Sequence, residues 1–138
     1  MFKIPVVQRL IGSPRLAGYV QLHQAVPLVE RQHVIIEALR EHAPDPLPGR
    51  VLAEKARVSV RTIERDIDRL CEAGLPIRRH RGRFGGFGLD AVHDPTPVRL
   101  TASEIATIIA SLVALGPYTT SSAETALSKL TDHLTGHA

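Results

Sequence analysis

The stretch LAEKARVSVRTIERDIDRL, residues 52–70, decides the fold. It reads as two short helices joined by a tight turn. Ser59 stands at the natural N-cap of the second helix, where a hydroxyl accepts from a free backbone N–H of the first turn. Behind it Ile63, Ile67 and Leu70 recur at i, i+4 and i+7, which places them on one buried stripe. Leu52, Ala53 and Ala56 give the first helix a matching small, apolar face. The other side of the second helix carries Arg61, Thr62, Arg65 and Arg69. Two helices packed on one face, the second turning arginines outward, describe a helix-turn-helix. A helix of that kind fits the major groove of B-DNA, where arginine bonds guanine O6 and N7 together. The competing reading of the same residues is a helical hairpin with a solvated basic face.

The residues after Leu70 favour the helix-turn-helix. In CEAGLPIRRHRGRFGGFGLD, residues 71–90, Gly74 suits a helix C-cap and Leu75-Pro76 redirects the chain into an extended run. Ile77 to Arg81 and Arg83 to Leu89 read as two strands around a turn near Gly82, with Phe84 and Phe87 as anchors. Arg78, Arg79, Arg81 and Arg83 lie on this hairpin, and no acidic residue stands between Pro76 and Leu89. Basic side chains on such a wing reach phosphates or the adjacent minor groove. The expected fold class is therefore mainly α with a small β-hairpin: a winged helix-turn-helix, followed by a two-helix C-terminal extension.

VSVRTIERDIDRLCEAGLPI (58–77) followed by GRFGGFGL (82–89) resembles the N-terminal domain of WYL-domain transcription regulators, grouped with the DeoR-like winged-helix repressors. In that family a valine-serine turn precedes an R-T-I-x-R-D recognition helix, and a G-x-x-G-G-[FY]-x-L wing follows. A weaker likeness, to the family's helical linker, runs through RLTASEIATIIASLVAL (99–115) and ALSKL (126–130). The resemblance implies a transcription regulator. The family continues into a ligand-sensing domain named for a Trp-Tyr-Leu motif. This sequence contains no tryptophan and stops at Ala138, so that sensing role is not carried over.

Charge points the same way. The net charge of the 138 residues is only +3, but residues 49–90 hold ten Lys/Arg against six Asp/Glu. Residues 91–138 hold two against four. A positive field concentrated on the proposed reading unit favours nucleic acid over an acidic protein or an anionic membrane. Aromatic residues are scarce, so aliphatic helix packing should dominate the core. Cys71 is the only cysteine, which excludes an intramolecular disulfide and fits a reducing cytoplasm. Pro5, Gln8, Arg9 and Gly12 interrupt any apolar leader, and no segment has the length of a membrane span. A cytoplasmic protein with no membrane partner is expected.

Three segments are expected. Residues 1–27 form an N-terminal arm, with Ser13-Pro14 starting a short helix to about Ala25 whose shared face is Leu16, Tyr19, Val20 and His23. Lys3, Arg9 and Arg15 could contact DNA, but the apolar content favours packing or dimerisation. Residues 28–90 are the winged helix-turn-helix. Its first helix, Leu28 to His42, buries Leu28, Ile35, Ile36 and Leu39, and APDPLPG (43–49) is a loop or very short strand with Leu47 inward. Gly49 to Ala56 is the second helix, preceded by proline instead of a capping side chain. Residues 91–138 are a linker and helical extension. Thr101 and Glu104 form a capping box, Ile105, Ile108, Ile109, Leu112 and Leu115 come next, and Gly116-Pro117 stops the helix. A last helix from about Ser122 to Leu134 aligns Ala123, Ala126, Leu127, Leu130 and Leu134. Helices this apolar must cover the winged-helix core or their copies in a second subunit, and homodimerisation through the arm, these helices or both is the expectation.

The expected DNA-binding residues are Ser59, Arg61, Thr62, Arg65, Arg69, Arg78, Arg79, Arg81 and Arg83. Arg61 and Arg65 are the first candidates for base contacts, against salt bridges to Glu64, Asp66 or Asp68. Asp66 is expected to orient an arginine or cap a neighbouring element, because phosphates repel it. Seven histidines show no Cys/His cluster and no H-x-x-x-H pair on a helix, His133 and His137 falling near a frayed end, so neither metal nor cofactor is expected. His80 should add pH-dependent charge to the wing, and Cys71 should be a small buried residue, a redox role being the lesser reading. GRFGGFG neither opens a helix after a strand nor precedes a Walker lysine, which argues against a nucleotide loop. No catalytic constellation is visible. A sequence-specific transcriptional regulator bound to double-stranded DNA is the function these residues imply, with recognition helix 59–70 and wing 77–89. The alternative is a winged-helix protein-interaction or assembly module without specific DNA binding.

Overall fold

The computed structural model describes residues 17–90, 97–115 and 120–137, with side chains from Pro27 onward. In chain order its elements are α1 (Ala17–His42), α2 (Gly49–Ala56), α3 (Val60–Glu72), β1 (Ile77–His80), β2 (Gly86–Leu89), α4 (Ala102–Leu115) and α5 (Ser121–Thr135). The chain divides into two compact units, Arg31–Pro95 and the segments flanking it. The fold class is mainly α with one small hairpin, a helix-turn-helix and wing followed by C-terminal helices.

The helix pair forms where the sequence places its signals. Ser59 is extended, and its Oγ accepts the Thr62 N–H at 3.2 Å, which satisfies one of the free donors of α3. Pro48 precedes α2 without a side-chain cap. Between the helices Arg57 is left-handed (φ 57°, ψ 44°), and the Val58 N–H closes the turn on the Ala53 carbonyl at 3.0 Å. At the far end of α3 the Gly74 N–H bonds the Cys71 carbonyl and the Leu75 N–H bonds the Leu70 carbonyl, both at 3.0 Å. That is a Schellman closure, and Gly74 meets its positive φ of 105°.

Ile35, Ala38 and Leu39 of α1, Leu52 and Ala53 of α2, and Ile63, Ile67 and Leu70 of α3 share one buried cluster with Leu47, Ile77, Phe87 and Leu89. Each fully buried Leu or Ile contributes about 1.5–3 kcal/mol relative to exposure, so this stripe holds the three helices at fixed angles. The hairpin pairs β1 and β2 antiparallel, Ile77 opposite Leu89 and His80 opposite Gly86. Leu47 adds a one-residue third strand, exchanging two 2.8 Å backbone hydrogen bonds with Phe87. Its inward side chain is the expected one. At Gly86 (φ 147°) a β-carbon would overlap the Leu47 carbonyl, so only glycine permits this approach.

Four expectations are corrected. The separate arm helix and the helix starting at Leu28 are one helix, α1, which runs through Pro27. Proline removes the N–H that would bond the His23 carbonyl, yet the apolar stripe continues beyond it at Leu28, Ile35 and Leu39, all buried. The wing strands are shorter than expected: β1 ends at His80 and β2 begins at Gly86, because a five-residue loop closes on a Gly85 N–H to Gly82 carbonyl bond of 3.0 Å. Phe84 lies in that loop and is 86% exposed, so of the two phenylalanines only Phe87 anchors the wing. Cys71 is exposed, its Sγ 3.8 Å from the Ile77 carbonyl, because one residue past Leu70 turns about 100° away from the buried stripe. Ser13-Pro14, Leu16 and the basic residues Lys3, Arg9 and Arg15 lie outside the described residues, as do the side chains of Tyr19, Val20 and His23.

In the flanking unit the capping box is formed. The Thr101 N–H donates to Glu104 Oε2 at 2.7 Å, and the Glu104 N–H donates to Thr101 Oγ1 at 3.2 Å. Ile105 and Leu28 are buried, Ile108, Ile109, Leu112 and Leu115 half-buried. Helix α5 packs on α4 and starts one residue earlier than expected, with Thr120 Oγ1 accepting the Ala123 N–H at 3.2 Å. Ala123, Leu127 and Leu130 are half-buried, whereas Ala126 and Leu134 are exposed. Helix α4 ends at Leu115, and Gly116-Pro117 lie outside the described residues.

Candidate nucleic-acid interface

Turning the stripe Ile63, Ile67, Leu70 into the core leaves the opposite face of α3 to solvent. Arg61 and Arg65 are exposed there and make no ion pair among the described residues, so Glu64, Asp66 and Asp68 do not hold them. Ser59 is exposed and committed as the cap. Thr62 is half-buried, its hydroxyl 3.1 Å from Ser59 Oγ, so the two side chains form one small polar unit at the start of the helix. Two unpaired guanidiniums on a rigid helix can form bidentate bonds to a base edge or a phosphate.

The other arginines are not all free, although no acidic residue stands between Pro76 and Leu89 in the sequence. Arg79 of β1 is paired with Asp68 of α3 and lies over the Phe87 ring, 5.2 Å from its centroid. It joins wing to helix. Arg78 Nη2 is 3.2 Å from Asp90 Oδ2 just beyond β2. Arg69 Nη1 is 3.8 Å from Asp66 Oδ1. Arg81 and Arg83, in and beside the loop between the strands, make no ion pair among the described residues, and Arg83 lies 5.9 Å from the Phe84 ring centroid. The exposed pairs are weak enough to exchange for phosphate, since such surface pairs contribute about 0–1 kcal/mol.

Asp66 is the one buried charged side chain among the described residues, 1% exposed, although it sits on the same helix as Arg61 and Arg65. Arg31 of α1 binds it with both arms of the guanidinium, Nε to Oδ2 and Nη2 to Oδ1, the latter at 3.0 Å. The hydrogen bond to Asp66 raises the Arg31 pKa against the opposing effect of burial. Two hydrogen bonds in a fixed plane fix the rotation of α3 against α1, and the i, i+3 position of Arg69 adds a second cation. Asp66 therefore orients arginines, as expected, and does not face solvent.

Sequence reasoning passed over four side chains of this unit. Arg50 and Lys55 on α2 and Arg57 in the turn are exposed. The signal was available, because the first helix of such a pair crosses the phosphate backbone. Arg31 had no sequence signal, being thirty-five positions from Asp66. No group of three or more His, Cys, Asp or Glu among the described residues could hold a metal ion. No described helix is long and apolar enough to cross a membrane.

No solved structure matches the chain. Residues 31–88 match the family described as HTH domain, a span that opens at the arginine clamped on Asp66 and closes in β2, so the helix pair and hairpin are similar to a helix-turn-helix domain.

Proposed function

We propose that the chain is a sequence-specific DNA-binding transcriptional regulator of the WYL and DeoR-like winged-helix type, acting in the cytoplasm as a homodimer. The observation that carries this reading is the pair Arg61 and Arg65, exposed and unpaired on the outward face of a helix whose opposite face is locked in the core. Helix α3 enters the major groove, Arg61 and Arg65 contact base edges, and Ser59 and Thr62 bond the nearest phosphate or base. Arg69, Arg78, Arg79, Arg81 and Arg83 serve the flanking backbone or minor groove, the paired ones by exchanging a carboxylate for a phosphate. Arg50, Lys55 and Arg57 add backbone contacts from α2 and the turn. The functional division is an arm (1–27), the reading domain (28–90) and a linker with dimerisation helices (91–138). The exposed Val113 and Leu134 on the last two helices support a two-fold assembly that would present paired recognition helices.

Fluorescence anisotropy tests this with DNA from upstream of the chain's own coding region and a scrambled duplex, across a salt series. The expected result is preference for the native fragment and a log–log salt slope of about −4 to −6, the signature of roughly five to seven phosphate contacts. Equal weak binding to both duplexes, with a partner protein protecting the wing, would favour the assembly-module alternative.

A further inference from the structure

Phe84 takes no part in the buried core of its domain, and its ring lies 5.9 Å from the neighbouring Arg83 guanidinium. The loop that carries it closes through the Gly82–Gly85 hydrogen bond, and the wing is anchored by Phe87, Ile77 and Leu89, all buried. At 86% it is the most exposed of the large apolar side chains among the described residues. Its sequence neighbours are Arg83, Gly85 and, across the turn, Gly82 and Arg81. Neither Arg81 nor Arg83 is paired with an acid among the described residues, unlike Arg78 and Arg79 at the base of the hairpin. The tip therefore combines one flat apolar surface with two uncompensated guanidiniums.

That chemistry favours one kind of occupant. Protein hot spots also combine aromatic rings with arginines, but a ring flanked on both sides by unpaired cations, with no acid at the tip, calls for a polyanionic partner. A duplex minor groove offers apolar sugar walls and base edges between two rows of phosphate, which matches a ring flanked by cations. Apolar side chains entering that groove between base steps are a known mode of contact. Resting on the DNA-binding reading above, we infer that Phe84 is the wing's apolar contact with DNA, entering the minor groove beside the major-groove site while Arg81 and Arg83 bind the phosphates on either rim.

The test compares the full chain with Phe84→Ala and Phe84→Trp on one duplex, the tightest found for the unaltered protein. Phe84→Ala should lose about tenfold in affinity, within the range spanned by aromatic–base contacts, and Phe84→Trp should retain binding. The salt slope should stay unchanged, because no charge is removed. Thermal unfolding should also stay unchanged, because the side chain is exposed. Flanking A·T pairs are then replaced by I·C, which keeps the minor-groove pattern, or by G·C, which adds the guanine amino group there. The unaltered protein should lose affinity on the G·C duplex only, and Phe84→Ala should respond to neither. Binding by Phe84→Ala within twofold of the unaltered protein, or unaltered sensitivity to G·C, overturns the assignment and leaves DNA binding intact. Failure of the unaltered protein to bind any duplex overturns both readings.

Discussion

Asp66→Ala is the most informative single change to the fold, because the carboxylate is buried inside the domain while its charge is met by one bidentate partner. Removing one member of such a pair costs about 3–5 kcal/mol, since the other charge remains without compensation in a poorly solvated place. Here Asp66 is 1% exposed and Arg31 is 19% exposed, so water can reach the orphaned guanidinium but not an orphaned carboxylate. Asp66→Ala should therefore fall at about 3 kcal/mol, the lower end. Arg31→Met should reach about 4 kcal/mol, because only Arg69, at 3.8 Å, would remain near Asp66. Asp66→Asn keeps the shape and one acceptor and should cost about 2 kcal/mol. Against a total stability of about 5–15 kcal/mol each is a large fraction.

The double variant Arg31→Met with Asp66→Leu decides the argument. Apolar replacement of a whole buried pair is close to neutral, so the double variant should lie within about 1 kcal/mol of the unaltered protein. Urea unfolding followed by circular dichroism gives the four free energies of the cycle, for the unaltered protein, Arg31→Met, Asp66→Leu and the double variant, provided the slope against urea stays constant. A coupling of about 2 kcal/mol or more between the two sites is required. Additive losses, or an Asp66→Ala variant costing less than about 1 kcal/mol, would refute the reasoning and mean that the pair opens to water in solution.

Other consequences can be checked with smaller effort. Ser59→Ala should cost about 1 kcal/mol by urea unfolding, through the lost cap on the Thr62 N–H, with Ser59→Gly costing less. Gly86→Ala should cost about 2–4 kcal/mol in the same assay, because a β-carbon at φ 147° meets the Leu47 carbonyl, and the loss should appear together with loss of the Leu47–Phe87 bridge by amide exchange. Arg61→Ala should lose about 1–3 kcal/mol on the preferred duplex and relax discrimination at one base position, whereas Arg79→Ala should weaken all duplexes alike, read by anisotropy. The Arg40 guanidinium holds the Glu37 carboxyl below its ordinary 4.5. Its contribution is then present above about that pH and lost as the pH falls through the lower folded value, so Glu37→Gln should flatten the acid side of the stability–pH profile.

Local rules made much of this chain legible. The stripe Ile63, Ile67, Leu70, the Ser59 cap, the Thr101–Glu104 box and the inward Leu47 follow from spacing and side-chain chemistry that act within a few residues. Each was found where expected. The unreadable part involves contacts set by the hairpin and by α1. The turn near Gly82 suggested longer strands, but the loop closes through the Gly85–Gly82 hydrogen bond and Gly86 passes close to Leu47, which leaves Phe84 in the loop. Asp68 and Asp90 are eleven and twelve positions from the arginines they hold, so nothing in the run RRHRGR announced that its first two members were compensated. Two helices are expected, one on either side of Pro27, whereas one helix runs through it, with Leu28, Ile35 and Leu39 buried beyond.

The pairing pattern also changes what the charge count means. Counting residues made the reading domain uniformly basic, yet a carboxylate on the recognition helix is harmful to DNA binding unless something neutralises it. Asp66 is neutralised by burial against Arg31, a cation drawn from another helix and not from the DNA-facing set. Asp68 is exposed and is neutralised by Arg79, so this wing arginine offsets an acid before it offers anything to a phosphate. Among the described residues of the reading domain, the cations without an ion pair then lie on the outer face of α3, in the loop between the strands, and on α2 and the turn after it. Exposed pairs such as Arg78–Asp90 and Arg79–Asp68 contribute little to stability and exchange readily, so they tune affinity with salt but supply no register. Register must come from groups whose position the core dictates: Arg61 and Arg65, carried on a helix whose rotation is fixed by Ile63, Ile67 and the Arg31–Asp66 clamp. On the proposed reading, the buried carboxylate and the arginines assigned to the bases are parts of one device, because a guanidinium can distinguish a guanine only if the helix beneath it cannot turn.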